Sequence, residues 1–230
     1  GGTTTSSTPV QTAPIAWVSP NWFTDPVTTY DQLTVETGGQ VVVASGVTHT
    51  LTDGSGDDLT IDGTWLNQGG SWTIIGGARW VVNDGGAFIQ NSNAAISAAL
   101  SKGILTRASN FVYRGSASFT PASSFSGRVY GNLAFESVLG QWSCSASGSS
   151  PLSVAGNLRI GTGVRWTAGG FSGTIVVQGT TLIEGEWSGS GSGNLGAHTF
   201  QGEFRVGSGG KYQLGTTGGS QGSIVFSGDF

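Results

Sequence analysis

Val129-Tyr130-Gly131-Asn132-Leu133-Ala134-Phe135 is one copy of a pattern that returns along the chain: an apolar residue, x-Gly, a polar residue, then alternating apolar residues. It recurs as Val154-Ala155-Gly156-Asn157-Leu158-Arg159-Ile160 and as Phe200-Gln201-Gly202-Glu203-Phe204-Arg205-Val206. Looser copies run from Val177-Gln178-Gly179 to Ile183, and through Phe226-Ser227-Gly228-Asp229-Phe230. The marker glycines Gly131, Gly156, Gly179, Gly202 and Gly228 are separated by 25, 23, 23 and 26 residues. The period is therefore roughly 24 residues, with small insertions at turns. A large ring follows several copies at a similar distance: Trp142, Trp166 and Tyr212, with Trp187 closer in and Trp80 upstream. Gly38, Gly63, Gly86 and Gly115 extend the glycine series toward the N-terminus.

Between these markers lie short runs rich in β-branched residues, such as Leu33-Thr34-Val35, Val41-Val42-Val43, Leu59-Thr60-Ile61 and Ile175-Val176-Val177. Such runs bounded by Gly, Ser, Asp and Asn read as strands. A unit of three short strands cannot enclose a core, but stacked units can. The expected fold is all-β: a right-handed parallel β-helix, or β-solenoid, of about eight coils of roughly 24 residues. At a strand spacing of about 4.8 Å it forms a rod on the order of 40 Å long. On this reading the marker glycines turn corners that need positive φ. A sandwich or antiparallel barrel also has many short strands, but gives no reason for a signature repeated every third strand.

Two regions depart from the repeat. Residues 1–30 are expected to form an extended Thr/Ser/Pro linker followed by an aromatic cap or exchanged segment, with Ile15, Trp17, Trp22, Phe23 and Tyr30 set among Pro20 and Pro26. Residues 31–230 are then the solenoid, open at its C-terminal end. Residues 93–102, rich in alanine and ending before Gly103, read as a short helical excursion.

Composition bounds the function. Gly 41 of 230 residues is more than twice the usual share and charged residues are only 10%. Eight tryptophans and eleven phenylalanines need burial, which argues against disorder. A net charge of −4 with scattered Lys and Arg gives no footprint for nucleic acid. No apolar run is long enough to span a bilayer as a helix. Cys144 has no partner for an intramolecular disulfide and reads as a buried thiol. The chain contains no methionine, so it is expected to be a processed piece of a longer product.

The run Gly156-Asn157-Leu158-Arg159-Ile160-Gly161-Thr162-Gly163 is similar to the coils of bacterial secreted and surface β-helix proteins: adhesins, autotransporter-like passengers and filamentous surface proteins. The resemblance covers residues 129–230 well and 31–128 loosely. It implies an extracellular or cell-surface location and a structural or adhesive role. Such families also include polysaccharide lyases and tailspikes, so polysaccharide binding or cleavage is the alternative it leaves open.

Several residues are candidate sites. Asp53-Gly54-Ser55-Gly56-Asp57-Asp58 places oxygen side chains at alternate positions, so Asp53, Ser55 and Asp57 are the candidate calcium ligands. The EF-hand continuation fails, because Asp58 and Thr64 stand where Gly and Glu are required. Glu203 and Asp229 share one motif slot, below which come Thr180, Asn157 and Asn132, so the slot reads as a polar corner ladder rather than a carboxylate pair. Glu184 and Glu186 are expected to share a face without a basic partner. His49 and His198 stand alone beside threonines, too few for a metal site. Thr48, Thr50 and Thr52 alternate in one strand, with no copy a coil away, which weighs against an ice-binding threonine array. Trp17, Trp22, Phe23 and Trp187 are candidate contacts for carbohydrate or a partner, although recurrent rings such as Trp187 also fit a stacked aromatic column. The chain is thus read as a non-enzyme without organic cofactor. Its candidate partners are a second copy joined head to tail, neighbouring domains of a longer chain, or a surface glycan.

Overall fold

The computed structural model describes residues 21–23, 27–96, 101, 103–189, 196–213 and 223–228, and these form a β-solenoid of about eight turns. Three strands per turn build three faces. The first face is one nine-stranded sheet: Asn21–Phe23, Gln40–Val43, Thr64–Asn67, Ala87–Gln90, Asn110–Ser116, Asn132–Leu139, Leu158–Ile160, Thr181–Ile183 and Phe204–Val206, in that order. The second face is two sheets, Val27–Tyr30, Thr48–Leu51 and Ser71–Ile74, then Trp142–Gly148, Val164–Phe171, Glu186–Ser188 and Lys211–Gln213. The third runs Leu33–Val35, Leu59–Ile61, Trp80–Val82 and Gly103–Leu105, and resumes with Arg128–Tyr130, Leu152–Val154, Ile175–Val177, His198–Phe200 and Ile224–Phe226. Every strand ladder is parallel, and the typical step is 23 residues, as between Asn67 and Gln90. The stack begins by Asn21, which pairs with Val41, and Val27–Tyr30 pairs with Thr48–Leu51.

Alternation within the strands builds the core. In Trp142–Gly148, Trp142, Cys144 and Ala146 are buried and Ser143, Ser145 and Ser147 exposed. Because the ladders are in register, each inward residue lies over its counterpart: Val41, Trp65, Phe88, Phe111, Leu133 and Leu158 form one such column. Phe88 and Phe111 stack at 5.1 Å with rings 8° from parallel. Each such side chain contributes about 1.5–3 kcal/mol by leaving water. The tryptophans do not form one column. Trp65, Trp72 and Trp80 come from three faces of a single winding and meet inside it, with centroids 5.3 and 5.6 Å apart. Trp166 and Trp187 lie in register with ring centroids 4.2 Å apart and planes inclined at 56°, followed by Tyr212, whereas Trp142 pairs with Val164.

The marker glycines are needed for a reason other than positive φ. None of Gly131, Gly156, Gly179, Gly202 or Gly228 has positive φ; that conformation belongs to turn glycines such as Gly163 and Gly209. A β-carbon at Gly179 would instead strike the Gly156 carbonyl, one at Gly202 the Gly179 carbonyl and one at Gly228 the Gly202 carbonyl. Successive corners thus approach more closely than a side chain allows, with Gly179 N donating to Gly156 O at 2.8 Å. The upstream members of this corner are Gly39, Gly63, Gly86 and Ser109, tied by Thr64 N to Gly39 O, Ala87 N to Gly63 O and Asn110 N to Gly86 O. Gly38 is a positive-φ turn residue, and Gly115 lies within a strand against Trp142. Register also corrects the first motif. Tyr130, not Val129, pairs with Val154, because the corner after Tyr130 is shortened to Gly131 alone.

Among the described residues there is no α-helix. At the expected excursion, Asn91–Ile96 runs as bends and irregular chain, and residues 97–100 and 102 lie outside the described residues. The buried amide of Gln90 directs this segment, donating to Ala94 O at 2.8 Å and to Ser92 Oγ at 3.1 Å, and Ile96 then enters the core.

Candidate functional site

The candidate calcium residues are already engaged. Asp53 Oδ2 accepts from Gly77 N at 3.0 Å, one winding away. Asp57 pairs with Arg79 Nε at 3.1 Å, and Ser55 O accepts from Gln32 Nε2 at 2.7 Å. The neighbouring Asp58 is buried and accepts from Gly54 N at 2.7 Å and Arg79 N at 2.9 Å. The loop's oxygens thus close a turn and tie it to adjacent coils. No group of three or more metal-ligating side chains occurs among the described residues.

Glu184 and Glu186 do have basic partners, and they lie on different faces. Gly185 is the corner between them: Glu184 follows the first-face strand Thr181–Ile183 and Glu186 begins a second-face strand. Arg159 Nη2 reaches Glu184 at 2.8 Å and Arg165 Nε reaches Glu186 at 3.1 Å, each from the preceding coil. The first contact continues as a ladder. Arg114 meets Glu136 at 2.8 Å, and Arg159 approaches Glu136 at 3.8 Å, so charge alternates along the first face. Sequence separations of 22 and 25 residues hid these pairs, which become visible once the coil step is known. Glu203 pairs with Arg205 at 3.5 Å, while Asp229 lies outside the described residues.

The corner slot read as a polar ladder is one. Asn132 Nδ2 donates to Asn110 Oδ1 at 3.2 Å, Asn157 N to Asn132 Oδ1 at 2.8 Å, and Thr180 N to Asn157 Oδ1 at 2.8 Å. Exposed carboxylates do similar work. Asp84 Oδ1 accepts from Thr106 Oγ1 at 2.6 Å and Ala108 N at 2.9 Å, and these bonds lower its pKa.

Trp187 is 1% exposed and packed on Trp166, so it offers no ring face to a sugar. Trp22 and Phe23 occupy the first strand, opposite Val42 and Val43, and Trp17 lies outside the described residues. His49 and His198 are core residues against Trp65 and Trp187, and burial lowers the pKa of each to about 4. Cys144 is buried, with its thiol pushed up to about 11. Threonines do repeat at the coil step: Thr29, Thr50 and Thr73 are in register, as are Thr48 and Ser71, whose hydroxyls lie 2.9 Å apart.

One cleft of about 340 Å³ opens where the third face changes sheet, between Gly103–Leu105 and Arg128–Tyr130. Its lining includes Ile104, Val129, Arg128 and Tyr130, and no carboxylate among the described residues. Tyr130 Oη lies 3.0 Å from Tyr113 Oη, and burial raises the pKa of both phenols. These groups supply no acid–base pair of the kind that glycoside cleavage uses. No protein-family model, curated protein or solved structure matches the chain.

Proposed function

We propose that this chain is a non-enzymatic structural or adhesive segment, working outside the cell or at its surface. What carries the reading is where the outer polar groups go. Arg114, Glu136, Arg159 and Glu184 neutralise one another from coil to coil, and Asn110, Asn132 and Asn157 bond up one corner. Asp53 and Asp57 are likewise tied to Gly77 and Arg79. A reactive site instead gathers titratable groups with displaced pKa values in a cleft. A rod held by repeated ladders along its length suits a stalk or spacer that transmits load.

Low charge and abundant Gly, together with the likeness of the repeat to bacterial surface β-helices, support the extracellular placement. Its partners on this reading are neighbouring segments of a longer chain, copies joined head to tail, or a surface glycan. Calcium is not required for the turn at Asp53. A glycan array combined with assays for reducing ends and unsaturated uronates tests the proposal. Absence of turnover on every polysaccharide is the expected result, and release of sugar that scales with enzyme concentration overturns it.

A further inference from the structure

Charge is distributed unequally over the three faces in the C-terminal half. The first face carries Arg159 and Arg205, and the second carries Arg165, Glu186 and Lys211. The third-face strands Leu152–Val154, Ile175–Val177, His198–Phe200 and Ile224–Phe226 contain no Asp, Glu, Lys or Arg. Arg128, in the preceding strand, has the inward register of Leu152 and Ile175. Flanking positions such as Pro151, Thr174, Ala155 and Gln178 are also uncharged.

The outward column of this face reads Val129, Ser153, Val176, Thr199, Val225 through four successive ladders. Val129 is 63% exposed and Val225 46%. The column is a near-palindrome about Val176. A twofold axis lying in the face, parallel to the strands and passing over Val176, sets Val129 against the second copy's Val225. It also sets Ser153 against Thr199 and Val176 against its own equivalent. Valine meets valine and hydroxyl meets hydroxyl, the self-complementarity that an isologous contact needs.

We infer that this uncharged face pairs the chain with a second copy, sheet against sheet. Among the described residues the face holds no outward ring, Met or Arg of the kind that anchors unlike protein partners, and no ring on which a sugar could stack. The charged first and second faces keep their water, so the third is the one that two copies bury at least cost. Five strands at about 4.8 Å and some five residues at about 3.3 Å give roughly 400 Å² per copy. Two copies bury about 800 Å², the range of weak, reversible pairs. The inference rests on register and charge, independently of the extracellular placement.

Sedimentation of the intact chain from micromolar to millimolar concentration tests it. The expected result is a weight-average mass rising toward the dimer, insensitive to sodium chloride and strengthened by sulfate. Val176→Lys should weaken pairing by about tenfold or more, because two unpaired ammonium groups would face each other. Thr199→Lys provides the same test should Val176→Lys fail to fold, with buried-tryptophan fluorescence reporting the fold. Ser143→Lys, on the second face, should pair as the parent does. A strict monomer at every concentration, pairing abolished by salt, or undiminished pairing of the lysine variants overturns the inference. The first of these would leave the face to a partner of another kind.

Discussion

Gly179 lies directly over Gly156, its amide donating to the Gly156 carbonyl at 2.8 Å, and a β-carbon on Gly179 would fall on that same oxygen. Neither backbone can retreat without breaking the bond. Gly179→Ala should therefore cost about 2–3 kcal/mol, as overpacking does. Gly209→Ala is the contrast: Gly209 has φ +81° and open space around it, so the change should cost about 1–2 kcal/mol through backbone strain alone. Urea unfolding of both variants measures the difference.

The Arg159–Glu184 contact should contribute little despite its 2.8 Å distance. Both side chains are partly exposed, and such pairs are worth about 0–1 kcal/mol. A double-mutant cycle on Arg159→Ala and Glu184→Ala should give a coupling in that range that shrinks with salt. A coupling that salt leaves untouched would contradict the surface reading.

Stability should fall with pH between about 6.5 and 4. His49 and His198 have folded pKa values near 4, against about 6.5 unfolded, so across this window the unfolded chain binds protons that the folded chain does not. The full contribution is present above pH 6.5 and is lost as pH falls toward 4. Each histidine accounts for up to about 3 kcal/mol. Replacing His198 with Phe should flatten part of the profile, as read from denaturation midpoints at several pH values.

Cys144 should resist thiol reagents in the folded chain. Its side chain is 1% exposed, its thiol is pushed up to about 11, and Ser123 Oγ lies 3.6 Å away. Reactivity depends on thiolate and access, and both are suppressed here. Labelling with an aromatic disulfide should proceed at the rate of unfolding and become immediate in denaturant.

Calcium should leave the melting temperature unchanged. Asp53 and Asp57 already serve Gly77 N and Arg79, so an added ion would have to displace those partners. A calorimetric scan with calcium and with chelator checks this, and a shift with ligand concentration would reveal binding.

The solenoid is legible in the sequence because its cause is periodic. Phe111, Leu133 and Leu158 recur near the coil step because each belongs to an inward column sealed by its neighbours. The helical reading of 93–102 misled because alanine-rich composition reports local propensity, whereas the Gln90 amide bonds and the burial of Ile96 turn the described part of the segment. The site residues were less legible still. Glu184 and Glu186 alternate around Gly185 and so suggest one face, but a corner passes between them.

Sequence alone therefore determined the period, the parallel stacking and the apolar columns, since each is a one-dimensional pattern that local chemistry writes into the chain. Tertiary structure decided what depends on a one-residue change of register or on the place of a corner. It made Tyr130 rather than Val129 the partner of Val154, and it put Trp187 inside. It gave Glu184 its arginine and left the third-face strands from Leu152 to Phe226 without charge. Those facts require knowing which residues of neighbouring coils are opposed, and insertions at the turns shift that opposition without altering the repeat.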